Sequence, residues 1–163
     1  MKKLFFLMML VAFSTTTIAQ LEYGKWETVE VTDEFGDLTG DTVTSAFFEG
    51  TFSNSATTNS ELTVRILDYG DAIMVKLFEY SSTPESRMCY DGCFGEITVK
   101  RASGSVYTYS TFAPKSGGLY FNEKDKFTDM FHHNPGETIK VVVREDSFSD
   151  YGSSKYVFTI TLP

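Results

Sequence analysis

The nine residues from Asp33 to Asp41 hold the densest oxygen chemistry of the chain: Asp33, Glu34, Asp37 and Asp41 are strung along a segment that also contains Gly36 and Gly40. Calcium takes six to eight oxygen ligands, and carboxylates on a flexible glycine-containing loop supply several of them. The offsets differ from the twelve-residue EF-hand pattern, in which acids and a glycine keep fixed positions and a glutamate closes the ring. The segment therefore reads as a strand connection, with calcium held by Asp33, Glu34, Asp37 and Asp41 as the alternative. No other cofactor is expected.

Cys89 and Cys93 are the only two cysteines, in the order Cys-Tyr-Asp-Gly-Cys. Asp91-Gly92 between them is a tight-turn pair that draws the flanking strands, and the sulfurs, together. A disulfide is expected there in an oxidising compartment, contributing about 2 kcal/mol through so small a ring. A redox role fits less well, since such motifs have two intervening residues and a helix N-terminus that lowers a thiol pKa.

The two histidines, His132 and His133, are adjacent. Neighbours diverge by about 100° on a helix and point to opposite faces of a strand, so the pair does not converge on one metal. No Gly-x-Ser-x-Gly elbow, His-Glu-x-x-His or phosphate-cradling glycine loop is present. A carboxylate pair for glycoside hydrolysis is set by the fold, and 22 acidic residues single out none.

Aromatic residues offer recognition instead. Tyr107 and Tyr109 share a strand face, with Tyr23, Trp26, Tyr80, Tyr90 and Tyr120 as further candidates. Flat rings on an exposed face stack on sugars or anchor protein partners, although strands and a small core also use them simply for packing. The polar stretch from Phe52 to Ser60 is either a recognition loop or a connection organised by its own hydroxyls and amides.

The elements that must position these groups have a period of two. Leu62, Val64 and Ile66 alternate with Thr63 and Arg65; Ile73, Val75 and Leu77 alternate with Met74 and Lys76; Tyr69-Gly70-Asp71 turns between them. Ile97 and Val99 precede the Ser103-Gly104-Ser105 break, after which Val106, Thr108 and Ser110 oppose Tyr107, Tyr109 and Thr111. Ile139, Val141 and Val143, then Tyr156, Phe158, Ile160 and Leu162, mark two closing strands. Near the start, Val29 and Val31 share a face that excludes Trp26, which predicts either a bulge near Glu27 or Thr28 or burial on both faces. Ala46, Phe48 and Phe52 share a parity with Gly50, where the glycine marks a close approach or a bend.

One stretch has helical spacing. Asn122 caps a predicted helix over 122–132 in which Phe127, Met130 and Phe131 form a buried stripe, and Asn134-Pro135-Gly136 ends it. Such a helix suits the plugging of an open end or edge. Eight or more short strands and one helix predict an all-β fold, an antiparallel β-sandwich over residues 20–163.

The first nineteen residues read as a leader rather than a fold element: Lys2 and Lys3, an apolar run from Leu4 to Phe13, then Thr17-Ile18-Ala19. The mature chain is expected to begin at Gln20, exported to the periplasm or beyond, with no stable membrane anchor. Net charge is −8, or −10 once the two leader lysines are gone. A surface of that sign repels phosphate backbones, which argues against nucleic acid as a partner.

The order Trp26, Asp33-Glu34-Phe35-Gly36-Asp37 and Gly50-Thr51-Phe52-Ser53-Asn54-Ser55-Ala56-Thr57 resembles small exported bacterial β-rich proteins of no assigned activity. Gly117-Gly118-Leu119-Tyr120-Phe121, the Phe127–Phe131 stretch and Tyr156-x-Phe158-x-Ile160 are similar to their C-terminal halves. The resemblance implies an exported β-rich module and transfers no catalytic residue. The expectation is a non-catalytic binding or structural module for a protein or glycan, with a calcium-dependent adhesion or glycan-binding module as the alternative and a carboxylate hydrolase third.

Overall fold

Alternating apolar and polar side chains give nine strands in the computed structural model of the protein, which describes residues 22–32, 35–80, 88–89, 91–122, 124–148 and 153–163. The expected leader, Asp33, Glu34 and Tyr90 lie outside these residues. The strands are β1 (Glu27–Thr32), β2 (Leu38–Ser53), β3 (Ser60–Asp68), β4 (Ala72–Glu79), β5 (Cys93–Lys100), β6 (Val106–Ala113), β7 (Leu119–Asn122), β8 (Thr138–Arg144) and β9 (Lys155–Thr161). One α-helix among the described residues, α1 (Lys126–His133), lies between β7 and β8. The fold is all-β with one short helix.

All strand pairs are antiparallel, in the order β1-β2-β3-β4-β7-β6-β5-β8-β9, and β9 returns to pair with β2. Strands β2 to β9 thus form a closed ring, with β1 outside it on the first half of β2. A single rolled sheet takes the place of the two facing sheets expected from the strand count. The closure has a local cause at Gly50. A Cβ there would stand 2.7 Å from the Val157 carbonyl oxygen and 2.8 Å from the Phe158 Cβ, so only a residue without a side chain lets β2 and β9 meet.

The ring encloses Leu62, Val64, Ile66, Ile73, Leu77, Val99, Ile139 and Val143, each almost wholly buried. These are the in-facing members of the alternations read from sequence. Leu67 and Thr63 are buried as well, on the outward face of β3. The segment before β1 covers that side: Gly24 N–H donates to the Phe47 carbonyl (2.7 Å), and the Tyr23 hydroxyl lies 3.4 Å from that of Thr63. Arg65 spreads over the Phe47 ring, 5.3 Å from its centre, and donates from Nε to Ser45 Oγ. The irregularity in β1 lies between Glu30 and Thr32, later than the bulge expected near Glu27, and Trp26 falls before the strand begins.

The helix begins four residues later than predicted from Asn122, and Asp125 is its N-cap. Asn122 organises the approach instead: its Oδ1 accepts the Lys124 N–H (2.9 Å), while Asp125 Oδ2 accepts the Asn122 N–H (2.7 Å). These two side-chain bonds make a turn rather than a first helical turn. The end at Asn134 is as expected, with Asn134 Nδ2 donating to the Met130 carbonyl.

Eight residues cannot hold a helix by propensity alone, so packing must do it. Phe127, Met130 and Phe131 enter the core at one end of the ring. Phe127 stacks on Phe121 with ring centres 4.2 Å apart, and Phe131 meets Trp26 edge-on at 5.7 Å. Trp26 in turn contacts Phe48 and donates from Nε1 to the Thr161 carbonyl (2.8 Å). The helix is a plug.

The polar stretch after Phe52 folds on itself. Asn54 Oδ1 accepts the N–H groups of Ala56 and Thr57, Ser53 Oγ accepts that of Asn59, and the Thr57 and Ser60 hydroxyls bond one another. Among the described residues no helix is long and apolar enough to cross a membrane.

Candidate functional site: the groove between β6 and α1

The ring is nearly open at one seam. Strand β6 pairs with β5 along its whole length, from Cys93↔Ala113 to Lys100↔Val106, but with β7 only at Phe112↔Tyr120. Thr111 Oγ1 adds one bond to the Tyr120 carbonyl (2.9 Å). Beyond that point, among the described residues, no strand ladder covers the second edge of β6 from Val106 to Ser110.

A groove runs along this edge beneath α1. One part, about 580 Å³, is lined by Arg101, Tyr107, Thr108, Tyr109, Lys126, Asp129, Met130 and Asn134. Its continuation, about 310 Å³, is lined by Thr108, Tyr109, Ser110, Lys124, Asp125, Lys126 and Phe127. Consecutive residues 107–110 belong to both faces of the strand, so the groove meets the edge of β6 rather than one face. Its size falls in the range of ordinary ligand sites. A further pocket, bounded by Phe94, Phe112 and Tyr120, holds only about 70 Å³.

Tyr107 and Tyr109 point the same way, with ring centres 6.3 Å apart. Tyr109 leans edge-on to Phe127 at 5.6 Å, and burial raises its hydroxyl pKa, so it stays neutral and able to donate. Tyr107 lies farther out and is 46% exposed. The pair forms a step from the plugged core to solvent.

Arg101 fixes one end of the groove. Its Nε donates to both Glu137 oxygens (3.0 and 3.1 Å), and its Nη2 donates to Asn134 Oδ1 (2.6 Å) and again to Glu137 Oε2. Glu137 also accepts the Ala102 N–H. The bidentate guanidinium holds the Glu137 carboxyl below its ordinary range, and the carboxylate raises Arg101. This tie joins the β5–β6 turn to the end of α1, setting the position of helix against strand.

The acids and bases of the groove differ in how far they are engaged. Asp125 accepts the Asn122 N–H, whereas Asp129 is exposed: its carboxylate lies 3.1 Å from His133 Nδ1, which bonds the Asp129 backbone carbonyl at 2.8 Å. Lys124 and Lys126 are exposed and form no ion pair among the described residues. His132 turns the other way, toward Asp68 at 3.0 Å, so the two histidines diverge as their adjacency requires.

The remaining residues singled out from sequence do not join this site. Asp41 accepts from the Thr39 hydroxyl at 3.4 Å, and both Asp37 and Asp41 are exposed; Asp33 and Glu34 lie outside the described residues. Among the described residues no group of three or more His, Cys, Asp or Glu converges to hold a metal. Cys89 and Cys93 are free thiols here, not the expected disulfide. They are nevertheless neighbours: burial, then the hydrogen bond that the Cys93 thiol donates to Cys89, pushes the Cys93 thiol up to about 12. A thiol so far from ionisation at neutral pH is a poor nucleophile.

Sequence reasoning found the two tyrosines by their shared parity. It missed Lys124, Lys126 and the bare strand edge, because the absence of a neighbouring strand leaves no mark on β6 itself. Comparison with models of protein families, with curated proteins and with solved structures gives no match.

Proposed function

We propose that this protein is an exported, non-catalytic binding module whose ligand lies in the groove between β6 and α1. The observation that carries the reading is the conjunction of an uncovered strand edge, a paired tyrosine step and a cleft of about 580 Å³ at one place. Concave sites lined by aromatic rings and a few fixed polar groups are where proteins hold ligands. Binding rather than catalysis is favoured because neither groove carboxylate, Asp125 or Asp129, is buried, whereas catalytic acids and bases are typically tuned by burial.

The leader-like first nineteen residues and the acidic net charge support export. Export bears on Cys89 and Cys93 too. An oxidising compartment supplies disulfide-bearing oxidants; thiol exchange with one would join the two sulfurs, their two protons and two electrons leaving to reduce it to a dithiol.

The test is binding with a matched variant. Glycan arrays and peptide panels are screened with the mature protein and with Tyr107→Ala, in which an exposed ring is lost and the core is untouched. A ligand retained by the wild type and weakened at least tenfold by Tyr107→Ala is the expected result. A ligand held equally by both proteins would move the site elsewhere.

A further inference from the structure

We propose that the groove takes an extended acidic peptide, which adds as a strand to the bare edge of β6; this rests on the groove being the binding site. A strand edge presents a row of backbone N–H and C=O groups that water or another chain must satisfy. From Tyr107 to Ser110 the groove lies along that row, which has no strand partner there among the described residues. Peptides recognised in this way gain affinity from main-chain bonds and specificity from alternate side chains. The alternate side chains on this edge meet Tyr107 and Tyr109 on one side, which suits an apolar residue at every second position.

Charge selects the other positions. The groove lining carries Arg101, Lys124 and Lys126 against Asp125 and Asp129; Arg101 is tied to Glu137, whereas Lys124 and Lys126 form no ion pair among the described residues. The protein as a whole is acidic, but at physiological salt charges beyond about 8 Å are screened, so the charges of the lining decide, and its free cations among the described residues are Lys124 and Lys126. An incoming strand with carboxylates toward these ammoniums gains charge-assisted bonds. A basic strand meets repulsion.

The probe is a dye-labelled pool of nine-residue peptides alternating an acidic with an apolar residue, read by fluorescence anisotropy against the mature protein. Its best binder is then remade with lysine for each acid, and with N-methyl groups on alternate backbone nitrogens in each of the two registers. Expected are an at least tenfold loss with the lysine peptide, a similar loss with Lys124→Glu/Lys126→Glu protein, and an at least tenfold loss in one N-methyl register but not the other. Equal effects of the two registers overturn strand addition, because only one edge of the peptide faces β6. Failure of the whole pool, with an oligosaccharide bound instead and lost in Tyr107→Ala, overturns the peptide and leaves the groove as the binding site. Failure of peptides and oligosaccharides alike overturns both. Self-association of the protein that the pool does not displace from the groove also counts against the peptide.

Discussion

Gly50 on β2 and Phe158 on β9 are antiparallel partners set so close that a Cβ on Gly50 would stand 2.8 Å from the Phe158 Cβ. The ring closes at this contact. The obstacle to a larger residue includes the Val157 carbonyl, 2.7 Å from that Cβ, and backbone cannot swing aside. Gly50→Ala is therefore expected to destabilise the fold by about 1–3 kcal/mol, as overpacking does. Urea denaturation of Gly50→Ala beside the wild type checks this; an unchanged midpoint would deny Gly50 its role in closure.

The plug makes a second, larger prediction. Phe127 is 1% exposed and packs against both Phe121 and Tyr109. Phe127→Ala should cost about 3–5 kcal/mol, the usual loss for a buried aromatic ring. Tyr107→Ala, at an exposed position on the neighbouring strand, should stay within about 0.5 kcal/mol. Thermal unfolding of the two variants side by side checks the contrast.

Strand alternation made most of this fold legible. Leu62-Val64-Ile66 and Ile139-Val141-Val143 face the core as their period demands, and the Asn134 stop holds. What escaped reading depends on distant partners. The closure of β2 on β9 joins residues more than a hundred positions apart, and Gly50 announces a close approach without naming the other side. The late start of α1 has a local cause, since Asn122 serves a turn with Asp125 instead of capping the helix. Of the site, the tyrosine pair was visible and the bare edge was not.

Acid should loosen the groove through Glu137. Its carboxyl pKa is lowered in the folded protein, so the stability it contributes is present above the ordinary glutamate value of 4.5 and is lost as pH falls through the lowered value. Glu137→Gln should have a lower melting temperature than the wild type at pH 7, with the difference shrinking toward pH 3. A difference that stays constant across this range would separate Glu137 from the acid response.

Alkali acts at Tyr156. This buried hydroxyl donates to Glu79 Oε1 at 2.8 Å, and its pKa is raised by burial first and by Glu79 second. Stability from this group is present below the ordinary tyrosine value of 10 and is lost as pH rises through the raised value. Tyr156→Phe should blunt the alkaline loss of stability above pH 10. Identical alkaline unfolding of the two proteins would exclude Tyr156 as its source.

Cys89 and Cys93 carry a prediction about preparation. Protein recovered from an oxidising compartment should weigh two hydrogen atoms less than reduced protein and resist alkylation, with the bridge adding about 2 kcal/mol to stability. Full alkylation of native, unreduced material at both cysteines would show that they remain thiols.

The claim on which the account turns is that ligand sits between β6 and α1, and backbone NMR of the labelled mature protein reads this most directly. On titration with the tightest ligand from the screens, the account predicts shifts concentrated at Tyr107–Ser110 and Lys126–Met130, with slowed amide exchange along β6. Shifts confined to the Asn54–Asn59 loop or to β1, with β6 and α1 unmoved, would contradict it.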